Sequence, residues 1–310
     1  MRKGKRFVGA ILAVMMTASL GSCGKEADNN NTQAVGNTVT RQEENTTAKQ
    51  EETTTEKVDA LEAAKKNMEN ITSMETKMVM DMDMKISAEG QEQAVASVTT
   101  MDMVCFSDPF KIKMDMTMYM GELGSVTQTI YGDVAEDGTA ALYLNDGTGW
   151  QTQTVAVGDM DQYDARSNIL SVIEDGVTYT MEGTEQVDGA SAVKYSHVMQ
   201  GDEMKESLLS SGALDSVASL GLDASQMEGM LDGLGEMTEY IWIDEATLYP
   251  VKYEVDMTEI MDKLMANVVE ALGDQAQGMS INIPKMKMSM TCSNYNSAAD
   301  FTIPEEAKAN

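Results

Sequence analysis

Four stretches of the chain alternate with period two between sulfur side chains and polar or charged ones. Met78, Met80, Met82, Met84 and Ile86 are interleaved with Val79, Asp81, Asp83 and Lys85. Met101, Met103 and Cys105 are interleaved with Asp102 and Val104, and Ile112, Met114, Met116, Met118 and Met120 with Lys113, Asp115, Thr117 and Tyr119. Met286, Met288, Met290 and Cys292 are interleaved with Lys287, Ser289 and Thr291. In extended backbone successive side chains point to opposite faces, so each stretch gathers its thioethers on one face and its charges on the other. A helix would scatter the same residues around its circumference. Methionine is not a strand former by propensity, so pattern outvotes propensity here. The alternation predicts antiparallel strands with one wet face.

Further strands are expected at Gln128–Val134, Ala140–Asn145, Gln151–Val155, Val177–Val187, Ala190–Met199, Glu239–Asp244 and Tyr249–Met257, about ten in all, a number that suits a strongly curved sheet. Asp188-Gly189 suits a tight two-residue hairpin, and Asp137-Gly138 and Asp146-Gly147 suit short loops. Helical spacing marks a lead helix (Val58, Leu61, Met68, Ile71), a second segment (Met160, Tyr163, Leu170, Ile173) and a third within Asp202–Leu220 (Met204, Leu208, Val217). It marks a fourth at Met227, Met230, Leu231 and Leu234, and a fifth at Ile260, Met261, Leu264, Val268 and Leu272. In the fifth, Thr258 is the expected N-cap and Gly273 the stop. Gly221, Gly229, Gly233 and Gly235 crowd the fourth. Each interior glycine costs about 0.5–1 kcal/mol relative to alanine, which makes the segment Asp223–Gly233 the expected mobile lid.

The first 22 residues read as a lipoprotein signal peptide. Arg2, Lys3, Lys5 and Arg6 precede an apolar run from Phe7 to Leu20, too short to span a membrane. Leu20-Gly21-Ser22-Cys23 looks like a lipobox, so Cys23 is the expected lipidation site, bearing diacylglycerol (with palmitate-type chains) at the outer face of a cytoplasmic membrane. Residues 23–56 read as a lipidated, disordered tether rich in Asn, Thr, Glu and Gln, with no aromatic residue. Such a coil spans on the order of 30 Å between its ends. Residues 57–310 read as one α+β domain, an antiparallel sheet wrapped against several helices.

Composition narrows the function classes. Asp and Glu outnumber Lys and Arg by 51 to 22, a formal charge of −29, which disfavours binding to nucleic acid. Three cysteines are too few for a disulfide scaffold. Methionine supplies 29 residues and aromatics only 5 %, so thioethers stand where rings normally dominate a core.

The order of elements resembles the LolA/LppX-like lipoprotein superfamily. Trp242-Ile243-Asp244-Glu245-Ala246-Thr247-Leu248-Tyr249-Pro250-Val251-Lys252 is similar to a hairpin common among those proteins. Gly149-Trp150 and the terminal Phe301-Thr302-Ile303-Pro304-Glu305-Glu306 look like a Met-rich branch of Gram-positive lipoproteins. The resemblance implies a half-open barrel curled around helices, with an apolar cavity for acyl chains, while members of such folds also act as sensors or regulators.

No constellation of catalytic residues is legible. The one histidine, His197, falls in a predicted strand, where a surface or hydrogen-bonded role is the ordinary one, and no Ser-His-Asp set, phosphate loop or metal spacing accompanies it. No cofactor and no metal ligand set is expected. The expected ligand-cavity residues are Met78, Met80, Met82, Met84, Met101, Met103, Met114, Met116, Met118, Met286, Met288, Met290, Met227 and Met230. Unbranched, polarizable side chains adapt to variable apolar ligands. A filled core is the plain alternative for the same stripes, an interaction module without a ligand is the alternative function, and Cu(I) ligation by Met-x-Met is a minor one. Cys105 and Cys292 share the Met faces and are expected as buried free thiols. The expected partners are the membrane, through the anchor, and a lipid or other hydrophobic ligand.

Overall fold

The computed structural model describes residues 54–88, 90–135, 137–173, 177–210, 229–276 and 278–309. The signal segment, Cys23, most of the tether, Val217, Gly221, Met227 and residues 223–228 of the expected lid lie outside the described residues; of the expected fourth helix, residues 229–230 are helical and 231–233 form a turn, so Leu231 and Leu234 are not on a helix.

Among the described residues eleven strands form one sheet. They are β1 (Ser73–Ala88), β2 (Gln91–Ser107), β3 (Phe110–Tyr119), β4 (Ser125–Val134), β5 (Ala140–Asn145), β6 (Trp150–Val155), β7 (Thr180–Val187), β8 (Ala190–Gln200), β9 (Glu236–Asp244), β10 (Pro250–Asp256) and β11 (Met279–Ser293). Their order is β6-β5-β4-β3-β2-β1-β11-β10-β9-β8-β7, antiparallel throughout and open, with β6 and β7 at the edges. The β1–β6 half is a meander joined by short connections, the other half carries helices between β8 and β9 and between β10 and β11, and the halves meet where β1 pairs with β11.

Among the described residues the α-helices are α1 (Thr54–Glu69), α2 (Ala165–Val172), α3 (Gly201–Ser210), α4 (Thr258–Leu272) and the short α5 (Glu305–Lys308). The first four pack their apolar residues into one core with one face of the sheet, the inner face. Helix α4 buries Ile260, Met261, Leu264 and Val268 and stops at Gly273, whose φ of 52° only glycine adopts readily. Thr258 is not its N-cap. That position is Met257, without a side-chain cap; Thr258 is the first helical residue, and its hydroxyl accepts from the Met286 amide at 2.9 Å. The hydroxyl thereby ties the helix to β11 rather than to its own first turn.

The stripe from Met160 to Ile173 is two elements, a 3-10 segment over Val157–Tyr163 and then α2. Asp164 breaks them apart. Its backbone is extended, and its carboxylate caps α2 by accepting from Arg166 N at 3.1 Å and from Ser167 Oγ at 2.6 Å. The Asp188-Gly189 hairpin is as expected, with φ of 50° and 87° in a two-residue loop. The strand leading into it starts at Thr180 rather than Val177.

The outer face carries the charges in pairs. Lys113–Asp115 (2.8 Å), Lys252–Glu254 (2.7 Å), Lys287–Asp256 (2.8 Å) and Lys285–Asp81 are salt bridges between outward positions. Trp242 lies here, buried between Lys194 and Lys252 with its indole donating to Glu185 at 2.9 Å. The chain after β11 lies across this face: Phe301 meets Phe106 and Tyr131, Lys111 bridges to Asp300, and Thr152 donates to the Ala307 carbonyl.

Candidate functional site

The register assembles the methionine stripes into rows that cross the strands. One row runs Met116–Met101–Met78–Met290–Tyr253–Ile241–Tyr195 over β3, β2, β1, β11, β10, β9 and β8. The next runs Met118–Thr99–Met80–Met288–Val255–Glu239–His197. Met103 and Met114 lie opposite each other beside the first row, and Met82 opposite Met286 beside the second. The predicted strand methionines thus share one continuous wall, although four separate stretches of chain supply it; Met230 lies off it, against α4.

Burial varies along the wall. Met78, Met80, Met101, Met103, Met114, Met286, Met288 and Met290 are buried in the core, as is Met230 from the segment docked on α4, whose carbonyl accepts from Asn267 at 2.8 Å. Met82, Met84, Met116 and Met118, toward the β1–β2 and β3–β4 turns, are only half-buried. Toward the opposite end Met160 closes over the sheet. Its terminal carbon would stand 2.8 Å from a Cβ added at Gly132, so the missing side chain of Gly132 is what admits it. A cavity of about 10 Å³, room for about one water, lies between α2 and the sheet, lined by Ile169, Val172, Ile241, Tyr253, Met290 and Cys292.

Among the described residues of this face no lysine or arginine occurs, and its ionisable acid and base are one adjacent pair, Glu239 and His197, 4 % and 8 % exposed. Tyr253 donates to Glu239 Oε2 at 3.0 Å. His197 Nδ1 lies 3.0 Å from the Thr178 carbonyl, which can only accept, so that nitrogen carries a proton; Nε2 lies 3.1 Å from Glu203 of α3. The sequence leaves a surface or a hydrogen-bonded role open for His197, which is buried and hydrogen-bonded, and it does not single out Glu239. The available signal was a carboxylate in an inward slot of the alternation Met237, Glu239, Ile241, Ile243.

Cys105 and Cys292 are buried free thiols. Burial, and then the Asp164 carboxylate 3.8 Å away, pushes the Cys105 thiol up to about 12; burial alone pushes Cys292 up to about 12. Neither is a nucleophile near neutral pH. Among the described residues no group of three His, Cys, Asp or Glu side chains could hold a metal ion.

A family model described as a family of unknown function (DUF6612) matches residues 54–310. A comparison with curated proteins found no match. The chain is similar to the solved structure of LprF from Mycobacterium bovis, at 14 % identity over 80 % of this chain and 96 % of that one, with a TM-score of 0.43. It is similar also to the lipoprotein LppX from Mycobacterium tuberculosis, at 12 % identity over 80 % and 99 % with a TM-score of 0.38. A LolA superfamily protein from Nitrosomonas europaea has 10 % identity over 80 % and 94 %, with a TM-score of 0.21.

Proposed function

The chain belongs to the DUF6612 family of unknown function, and we propose that it is a non-catalytic, membrane-anchored extracytoplasmic lipoprotein that binds the apolar part of a lipid or other amphiphile on its inner face. The observation that carries this reading is the half-buried thioether end of the wall, Met82, Met84, Met116 and Met118, continuous with a buried face almost free of charge. An acyl chain laid on these residues gains about 25 cal/mol for each Å² of apolar surface removed from water, less the cost of ordering it. Thioethers re-pack around chains of differing shape more readily than β-branched residues do. Diacylated Cys23 supplies the anchor, since two chains hold where one is marginal, and the tether lets the domain reach out from the membrane.

Uptake of a fluorescent acyl probe by the full-length protein tests the reading. Met84→Asp and Met116→Asp fall on half-buried positions, so both variants should fold and both should lose uptake. Undiminished binding in the folded variants would overturn it. A second reading, an envelope interaction module without a ligand, is favoured by the filled centre of the wall, where Met80 and Met288 are 1 % and 2 % exposed and the cavity holds about 10 Å³. Native mass spectrometry of protein extracted from its host separates the two: a co-purifying lipid supports the first, and its absence together with failed probe uptake supports the second.

A further inference from the structure

Burial alone does not explain why the wall is methionine. Leucine, isoleucine or valine would remove similar apolar surface from water with equal or better strand propensity. What they lack is a sulfur lone pair. The β1–β11 pairing sets Met78 opposite Met290, Met80 opposite Met288 and Met82 opposite Met286, three adjacent rungs of thioethers drawn from the two ends of the domain. Side chains directly opposite in an antiparallel pair have Cβ atoms about 4.5–5.5 Å apart, and the rotatable bonds of methionine let the sulfurs of one rung turn toward a common point. The first two rungs are sealed in the core. The third borders solvent through Met82, and Met84 follows on the same face of β1.

We propose that Met82, Met84 and Met286 form a site for a soft monovalent cation of the Cu(I) or Ag(I) class. Neutral thioethers are soft donors and match such ions, while they serve calcium, magnesium or zinc poorly. The position at the half-buried end gives the ion a path from water. The formal charge of −29 favours the approach of a cation. No oxidation or reduction is involved: the ion enters as M(I) and exchanges its solvent ligands for sulfur. The site stands on the rungs themselves and does not depend on amphiphile binding.

Silver nitrate in chloride-free buffer is the probe, because Ag(I) is stable in air. In the full-length protein labelled with ¹³C-methyl methionine, the methyl resonances of Met82, Met84 and Met286 should shift with the first equivalent of silver while that of Met279 stays still. Replacing the three by leucine should weaken silver binding on the order of tenfold or more, with the urea midpoint retained. Leucine removes only sulfur, and silver binding is read with no amphiphile present, so failure here is separable from failure of the amphiphile reading. The single variant Met84→Leu, at a half-buried position, repeats the test should the triple variant not fold, and it should weaken silver binding in the same direction. Silver binding unchanged in the leucine variants, or a first equivalent that leaves all three methyl resonances unmoved, overturns the proposal.

Discussion

Cys105 and Cys292 sit in the wall as small apolar groups, and their titration follows from that position. With folded values of about 12, both hold their protons through the range in which an unfolded thiol ionises near 9. The stabilisation they give is therefore complete below about pH 9 and is lost as pH rises toward about 12. Iodoacetamide near pH 8 should leave both unmodified in the native protein and label both in urea; rapid native labelling would mean that the helices lift from the sheet. Glu185 shows the opposite sign. The hydrogen bond from Trp242, with Lys194 and Lys252 nearby, holds its carboxyl below the usual range. Its stabilisation is present above the ordinary carboxylate range and is lost as pH falls through the lowered value. Urea midpoints measured from about pH 6 down to about pH 3 should fall less steeply for Glu185→Gln than for the wild type. An identical acid slope would remove Glu185 from the account.

At the scale of the element, the four alternating stretches are strands, and their sulfur side chains face the helices as period two requires. Alternation assigns faces but not neighbours, so the pairing of β1 with β11 could not be read from Met78–Ile86 and Met286–Cys292 taken separately. The full length of β2 was hidden for a different reason: Val95, Ser97 and Thr99 occupy its inward slots, and small or polar residues there leave no hydrophobic rhythm. Glu239 shows in the sequence as a carboxylate in an inward slot, but its pairing with His197 does not, because a buried carboxylate is satisfied by groups from other elements, here Tyr253 of β10. Position along the wall sets what a substitution does. Met288→Asp puts a charge in the sealed centre and should cost about 4 kcal/mol or more, unfolding the domain outright if stability is marginal. Met116→Asp can turn its carboxylate toward water and should cost about 1 kcal/mol. Urea melts of the two variants check this contrast, and equal costs would mean that the wall has no open end.

At the scale of the whole molecule, an open sheet of eleven strands has two edges and a second face to protect. The chain after β11 serves both needs on one side. Phe301 packs 6.0 Å from Phe106 and 5.8 Å from Tyr131, Tyr131 leads on to Trp150 at 5.8 Å, and Lys111 lies over both phenylalanine rings. Beyond it α5 lies against β5 and the edge strand β6, with Ala307 fully buried. The strap thus covers aromatic surface that would otherwise be wet, and it lies against the β6 edge. Phe301→Ala should lower stability by about 1–2 kcal/mol, less than the ~3–5 of a fully buried ring because Phe301 keeps some contact with water. Truncation before Pro304 should do something different: it uncovers β6 while leaving the aromatic cluster in place. The expected result is concentration-dependent self-association on size-exclusion chromatography with a nearly unchanged urea midpoint. A truncated protein that stays monomeric would show that the Gln and Thr residues of β6 are enough to keep its edge from pairing.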